Sequence, residues 1–434
     1  MRKKKVAFYT LGCKVNYCET EALQSLFEKE GYRIVDFKKS ADVYVINTCT
    51  VTGLSDHKSR KAIRRARRIS PEALIVATGC YAQGFPDEIS AMEQADLIIG
   101  THGREKLLEI IASLEPGRPR ELVRPYGSSS PFELLPPGRR RGRSRGFLKV
   151  QEGCDQGCTY CIIPSVRGPL RSLPPPEAAE RARAMVESGY RELVLTGIHL
   201  GLYGADLEEV SLGTLLEELE KVPGLERIRL SSIEPSDITR ELVERLLPSK
   251  KICPHLHIPL QSGDQEILHR MNRTYTPEEY LYLIRWLRER RSDLAVSADV
   301  MVGFPGETEK HHRRSLNFVR AMRFSRLHVF TYSARPGTAA AAMSGQVERA
   351  VMERRSREMI ALGQEMAAAF RRKFIATTQE VLIEKVTPHR FGEGFTPHYL
   401  RTRVALEGRG RGWPGKLVPV RLEKVEGQYL WGKT

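Results

Sequence analysis

Short apolar runs alternate with amphipathic helical segments through most of the 434 residues. That alternation restricts the fold more than any other feature, because strand–helix–strand order calls for parallel sheets with helices on their faces. In a first block, Val6 to Leu11, Asp42 to Asn47, Ala73 to Thr78 and Asp96 to Ile99 read as strands, with helical segments such as Glu19 to Lys29 between them, which predicts an open doubly wound sheet. A second block offers six strands: Phe147 to Gln151, Glu192 to Leu195, Arg227 to Ser231, Leu256 to Leu260, Leu294 to Val302 and Arg326 to Thr331. Helices over Pro176 to Glu187, Ser211 to Lys221, Thr276 to Arg291 and Glu307 to Met322 space them. Six parallel βα units predict an open partial barrel, and an eight-stranded barrel with two unread strands stays open. Between the blocks, Pro116 to Arg145 turns to Pro, Gly, Ser and Arg, ends in the basic run Arg139 to Arg145, and reads as a linker. After a helical stretch through Gln364 to Arg372, the runs Val381 to Val386, Leu417 to Leu422 and Gln428 to Gly432 predict a small antiparallel barrel. The expected units are residues 1–115, 116–145, 146–370 and 371–434.

The cysteines carry the chemistry. Cys154, Cys158 and Cys161 form a C-x3-C-x2-C triplet directly after the first strand of the second block. Three thiolates so spaced can wrap a cubic iron–sulfur cluster and leave one iron open to a chelating molecule, whereas a zinc knuckle would lack a visible fourth ligand. Cys13, Cys49 and Cys80 are far apart in sequence, yet each stands just beyond a predicted strand of the first block. Loops after parallel strands converge on one sheet edge, so these three are expected to meet in a second thiol cluster. Cys18, one turn past Cys13, reads as a helix-face residue with some reach toward that cluster, and Cys253 as structural. His199, His255 and His257 fall at strand ends of the second block, where structural and catalytic roles are equally open.

A net charge of +16 favours a polyanionic partner. Lys58 to Arg68 holds seven basic residues in eleven, and residues 371–434 carry thirteen Lys and Arg against six acids. With the Arg139 to Arg145 run these make several separate basic patches, so RNA backbone binding accounts for them better than plain solvation. Tyr399, Trp413, Tyr429 and Trp431 either stack exposed bases or fill the small barrel. No apolar run reaches the length of a membrane span, eight cysteines in so long a chain argue against a disulfide framework, and a cytoplasmic monomer is expected.

The triplet at the edge of six βα units resembles the radical S-adenosylmethionine (SAM) enzymes. The whole pattern resembles the methylthiotransferase family: an N-terminal three-Cys domain, a central radical SAM domain and a C-terminal TRAM barrel. The resemblance rests on Thr10 to Asn16 (TLGCKVN), Ile46 to Thr52 (INTCTVT), Thr78 to Gln83 (TGCYAQ), Phe147 to Cys161, Val194 to Gly204 (VLTGIHLGLYG), Arg229 to Pro235 (RLSSIEP), His257 to Gly263 (HIPLQSG) and Asp299 to Thr308 (DVMVGFPGET). Gly12 to Asn16, and Val51-Thr52 to Lys58-Ser59-Arg60, look most like the branch acting on N6-threonylcarbamoyladenosine beside the tRNA anticodon.

The resemblance implies that Cys154, Cys158 and Cys161 hold a [4Fe–4S] cluster that cleaves SAM. It implies a second, auxiliary [4Fe–4S] cluster on Cys13, Cys49 and Cys80 that hosts sulfur. One SAM would methylate that sulfur, and another would yield a 5′-deoxyadenosyl radical that removes hydrogen from adenine C2, chemistry no side chain supplies. Thr196, Gly197, Ser232, Glu234, Gln261, Ser262 and Gly303, in loops after strands two to five, are expected at SAM. Arg167 and Arg171 are expected to bind a carboxylate or phosphate. The expected partner is the anticodon stem-loop of tRNA, with an electron donor protein left unnamed. Rival readings are N6-isopentenyladenosine in tRNA or a ribosomal-protein aspartate as substrate, or a non-enzymatic iron–sulfur RNA-binding protein.

Overall fold

Val43-Tyr44-Val45-Ile46 and Ile75-Val76-Ala77 are apolar at consecutive positions, the mark of strands covered on both faces. In the computed structural model of the chain, which describes residues 3–115, 118–127, 130–138, 144–387, 391–406 and 412–434, they form the middle of a six-stranded parallel sheet. Its strands are β1 (Lys5–Thr10), β2 (Arg33–Val35), β3 (Val43–Thr48), β4 (Leu74–Gly79), β5 (Leu97–Ile99) and β6 (Arg120–Leu122), in the order β2-β1-β3-β4-β5-β6. Tyr44, Ile46, Ile75 and Ala77 pack with Ile63 and Ala66 of helix Gly53–Ile69 on one face. Val43, Val45 and Val76 pack with Leu23 and Phe27 of helix Lys14–Lys29 on the other.

Both edge strands, β2 and β6, escape the sequence reading because each is three residues long and begins with an exposed arginine. β6 lies within the stretch read as a linker. In the same stretch Glu133 and Leu135 are buried, so it packs along the first sheet despite its composition. Residues 139–143 of the expected basic run lie outside the described residues.

The second block follows its predicted strands closely. They are β7 (Arg145–Lys149), a short antiparallel ribbon of β8 (Gln151–Glu152) with β9 (Arg171–Ser172), then β10 (Glu192–Thr196), β11 (Arg227–Leu230), β12 (His255–His257), β13 (Ala295–Val302) and β14 (Arg326–Thr331). β7, β10 and β11 pair in parallel, as do β12, β13 and β14. Parallel bridges Ile228–Ile252 and Ser232–His257 join the two sets into one curved run of six strands. Among the described residues β14 does not pair with β7, so the barrel stays open.

The last unit is a closed barrel of β15 (Thr378–Val386), β16 (Phe391–Phe395), β17 (Arg401–Ala405), β18 (Leu417–Glu426) and β19 (Tyr429–Lys433), ordered β15-β16-β17-β19-β18. It departs from the all-antiparallel expectation at one place: β17 and β19 run parallel. Five strands around a ring cannot alternate direction throughout, so closure requires such a pair. The barrel is fastened beneath the central unit: Arg227 donates to Glu380 O (2.7 Å), Arg229 to Pro397 O (2.9 Å) and Ser144 to Ile383 O (2.7 Å).

A clasp joins the first sheet to the central barrel. Gly53 N donates to Ser333 Oγ (3.1 Å), while Arg335 reaches Asp56 (2.6 Å) and Thr50 Oγ1 (2.8 Å). Among the described residues no helix is long and apolar enough to cross a membrane.

Candidate functional site

β1, β3 and β4 are neighbours running in one direction, so their carboxyl ends share an edge. Cys13 caps helix Lys14–Lys29, Cys49 follows β3, and Cys80 opens the helix Cys80–Gly84. Gly12 and Gly79 make the turns, with φ of +96° and +92°. A Cβ on Gly12 would sit 2.9 Å from Cys49 Sγ, and one on Gly79 would sit 2.3 Å from Asn47 Oδ1, so side chains are excluded at both. Asn16 ties the edge, donating Nδ2 to Leu11 O (2.8 Å) and Thr48 O (2.9 Å). Cys80 lies within electrostatic reach of Cys13 and Cys49, and Cys49 of Cys13. Cys13 is exposed, the other two buried. Burial pushes the Cys49 thiol up and the Cys80 thiol up to about 12, so a metal bound there must displace protons.

The second triad occupies the loop after the β8 strand. Cys154 N donates to Gly168 O (3.1 Å) and Cys161 N to Cys158 O (3.1 Å), folding the loop on itself. All three thiols are part-buried; burial raises Cys158, and Cys161 to about 12. Arg273 Nη1 approaches Cys158 Sγ at 3.3 Å and also bonds Glu234. His199 stands 3.6 Å from Cys154 Sγ through Nδ1, and its Nε2 meets Asp237 at 2.6 Å. Burial opposes a charge on His199, but Asp237 and Cys154 outweigh it and raise its pKa to about 9. Among the described residues no three His, Cys, Asp or Glu side chains are gathered about a single-ion position.

The two triads adjoin. Cys80 packs with Ile162 and Val166, so the helix that starts at one triad rests on the helix that follows the other. Beneath them lies a buried charge network of Glu19, Glu133 and Glu152 with Arg104, Lys149, Arg167 and Arg171. This corrects the expectation for Arg167 and Arg171, which bind carboxylates of their own chain. Arg167 bonds Glu19 (3.2 Å from Nη2), Glu152 (3.0 Å) and Asn16 Oδ1 (2.6 Å), and its Nε faces Cys80 Sγ at 3.2 Å. Arg171 bonds Glu152 and lies over the Tyr126 ring at 4.4 Å.

Thr196 ends β10 and Gly197 follows it, Ser232 and Glu234 follow β11, Gln261 and Ser262 follow β12, and Gly303 follows β13, all at the carboxyl ends of their strands. Glu234 is engaged by Arg273, Ser262 Oγ accepts from Asp264 N (3.2 Å), and Gln261 holds φ +61° while bridging to Val300. Cys18 turns away from the first triad: its thiol donates to Phe147 O (3.2 Å), and burial raises it to about 12. Cys253 is buried beside β11. His257 meets Asp299 (3.2 Å) at the carboxyl end of β12, but His255 begins that strand, faces Ser297 (3.0 Å) and so lies away from the cysteines.

On the basic helix, Arg60 bonds Tyr81 (2.6 Å) and Glu88, and Arg67 bonds Asp96 (2.7 Å), leaving Lys58, Lys61, Arg64 and Arg68 exposed. Tyr399 is wedged between Arg145 and Arg229 at the base of the central barrel, and Trp431 packs on Phe391. Arg403 covers Tyr429 at 4.0 Å from its ring centre. Sequence reasoning missed Arg273, Asp237 and Glu19, none of which stands in a cysteine motif; the RLSSIEP segment ends two residues short of Asp237.

Residues 148–319 match the Radical SAM superfamily, and residues 5–100 match the Uncharacterized protein family UPF0004. The chain is 44% identical, over 98% of its length and 96% of the relative's, to the threonylcarbamoyladenosine tRNA methylthiotransferase MtaB of Bacillus subtilis (strain 168). It is 35% identical, over 99% of its length and 97% of the relative's, to a tRNA-2-methylthio-N(6)-dimethylallyladenosine synthase of Pelotomaculum thermopropionicum. Among solved structures, the radical S-adenosylmethionine methyltransferase TsrM from Kitasatospora setae superposes with a TM-score of 0.58 at 18% identity, covering 78% of this chain and 77% of that one, a likeness of fold. Identity at this level across almost the whole length means that the chain belongs to the methylthiotransferase family of radical SAM enzymes and is a transferase.

Proposed function

We propose that this enzyme adds a methylthio group to C2 of N6-threonylcarbamoyladenosine at position 37 of tRNA, with SAM and two [4Fe–4S] clusters. The observation that carries the reading is the adjacency of two all-thiol triads at the carboxyl ends of two parallel strand sets, joined through Cys80, Ile162 and Arg167. Both donor sets fit an iron–sulfur cluster, being sulfur alone with a guanidinium N–H beside one sulfur of each, at 3.2 Å for Cys80 and 3.3 Å for Cys158. Cys154, Cys158 and Cys161 would hold the SAM-binding cluster, and Cys13, Cys49 and Cys80 the auxiliary one. When bound, these groups supply reductive cleavage of the sulfonium, abstraction of hydrogen from C2 and the sulfur that is transferred.

The chain's own residues do the rest. Arg273, anchored on Glu234, orients the Cys158 sulfur. Thr196, Gly197, Ser232, Glu234, Gln261, Ser262 and Gly303 form the rim against which SAM would lie, since barrel loops after strand ends present ligand groups. The clasp of Thr50 and Asp56 on Arg335 holds the first sheet over that rim. Lys58, Lys61, Arg64 and Arg68 face solvent beside Cys49's strand, positioned for RNA phosphates. The substrate branch is supported by the relatives named as acting on threonylcarbamoyladenosine and by the Gly12 to Asn16 motif.

The test is anaerobic reconstitution with iron and sulfide, then reaction with SAM, dithionite and, in parallel, tRNA carrying threonylcarbamoyladenosine or isopentenyladenosine, each unmodified at C2, with nucleosides read by mass spectrometry. A methylthio product on that nucleoside is expected. Product only on isopentenyladenosine tRNA, or 5′-deoxyadenosine without product on either, overturns the substrate assignment.

A further inference from the structure

We propose that Arg167 is a positioning residue for the Cys13, Cys49, Cys80 site: its Nε–H holds the Cys80 sulfur, tunes the cluster that sulfur ligates, and locks it to the loop of the other triad. This rests on the reading above that a cluster sits on Cys13, Cys49 and Cys80.

Arg167 is completely buried, and its guanidinium places its donors on Glu19, Glu152, Asn16 Oδ1 and Cys80 Sγ. A neutral thiol is a poor acceptor for so expensive a donor, whereas a thiolate forms a charge-assisted bond. The charge balance points the same way. Among the described residues four cations, Arg104, Lys149, Arg167 and Arg171, share three carboxylates, Glu19, Glu133 and Glu152, in the buried network, one positive charge in excess. The thiolate that Cys80 becomes on ligating a cluster completes it.

The main chain of the same segment serves the second triad. Gly168 O accepts from Cys154 N (3.1 Å), and a Cβ on Gly153 would lie 1.7 Å from Pro169 O, so the strand leaving Arg167 is pressed against the start of the cysteine loop. Arg167 and its neighbour thus touch one residue of each triad. Glu19 sits on the helix that Cys13 caps, and Glu152 stands two residues before Cys154, so the guanidinium also bonds the elements that carry both sites. Hydrogen bonds to ligating sulfur raise a cluster's reduction potential, and removing one lowers it. Lys at position 167 keeps the charge but lacks the planar fork and its Nε–H.

The experiment uses full-length chain in two backgrounds, one with Cys154, Cys158 and Cys161 changed to Ala and one with Cys13, Cys49 and Cys80 changed to Ala. Each is reconstituted with iron and sulfide, with and without Arg167→Lys, and titrated by potential-controlled electron paramagnetic resonance. The expected result is a more negative potential for the Cys13, Cys49, Cys80 cluster alone. Should Arg167→Lys prevent that cluster from assembling, iron at that site drops from about four per chain toward none while the other site stays loaded, and the selective loss also supports the proposal. Unchanged potentials, equal shifts at both sites, or loss of both clusters with a collapsed unfolding transition overturns it. If the unsubstituted Cys13, Cys49, Cys80 site takes up no iron at all, the auxiliary-cluster reading fails instead.

Discussion

The two thiol triads are built by opposite means. Cys154 to Cys161 is a run of eight residues whose turns are closed by bonds within the segment and to Gly168. Cys13, Cys49 and Cys80 come from three strands and meet only when β1, β3 and β4 are paired in register. Their surroundings differ too. Each triad meets an arginine at one sulfur, but among the described residues Arg167 belongs to a network of seven buried charges, while Arg273 pairs with no carboxylate besides Glu234. A local loop needs little support to present three ligands, and a site dispersed over a sheet edge needs a rigid foundation, which the network supplies.

Two pairs of substitutions and one change of pH bear on that contrast, the largest first. Cys154→Ala should abolish reductive SAM cleavage, while Cys80→Ala should leave 5′-deoxyadenosine formation and remove methylthio product. Mass spectrometry of both products decides; if Cys80→Ala also silences cleavage, the two triads are not separable in function. Next, Arg104→Met takes from the buried Glu133 its closest cation and from Glu19 one of three. It should cost about 3–5 kcal/mol in denaturant unfolding. Arg273→Met, which strands one part-buried carboxylate, should cost less. Equal losses would erase the difference in foundation.

The smallest effect is a divergence with pH. Burial pushes the Glu19 carboxyl up, but Arg104, Arg167 and Lys149 outweigh it and hold it well below the ordinary value. Its contribution is present above the ordinary carboxylate pKa of about 4 and fades as pH falls toward the depressed folded value. Burial raises Glu234 despite Arg273, so that group favours the folded state more as pH falls through its raised value. Hydrogen exchange at about pH 3.5, corrected for intrinsic rates, should therefore rise in helix Lys14–Lys29 before the segment around Glu234. The reverse order would break the comparison.

What could be read in advance follows from the same physics. Strands apolar on both faces, such as Val43–Thr48, and helices with capping residues, such as Thr276 before Pro277–Arg290, declare themselves locally. The cysteine loop is written in its spacing, and the sheet-edge triad in its repeated place after strand ends. Arg167 was legible as a cation near a site but not as a buried one, because its partner Glu19 is 148 residues away. Arg145 reads in the sequence as part of a basic patch and Tyr399 as either a base-stacking or a barrel-filling ring; they meet instead at the interface between the central and terminal barrels, with partners from different units. Edge strands were missed because the sheet, rather than their own composition, orders them.

The clasp has a consequence for how the protein is made. Gly53 with Ser333, and Thr50 with Arg335, are contacts between residues 280 and 285 positions apart. During translation the first sheet and its thiols leave the ribosome long before residue 335 exists. The nascent N-terminal unit therefore waits with Asp56 lacking its guanidinium partner and Cys80 lacking the cover of Ile162 and Val166, its thiol open to oxidation until the central barrel arrives to brace it.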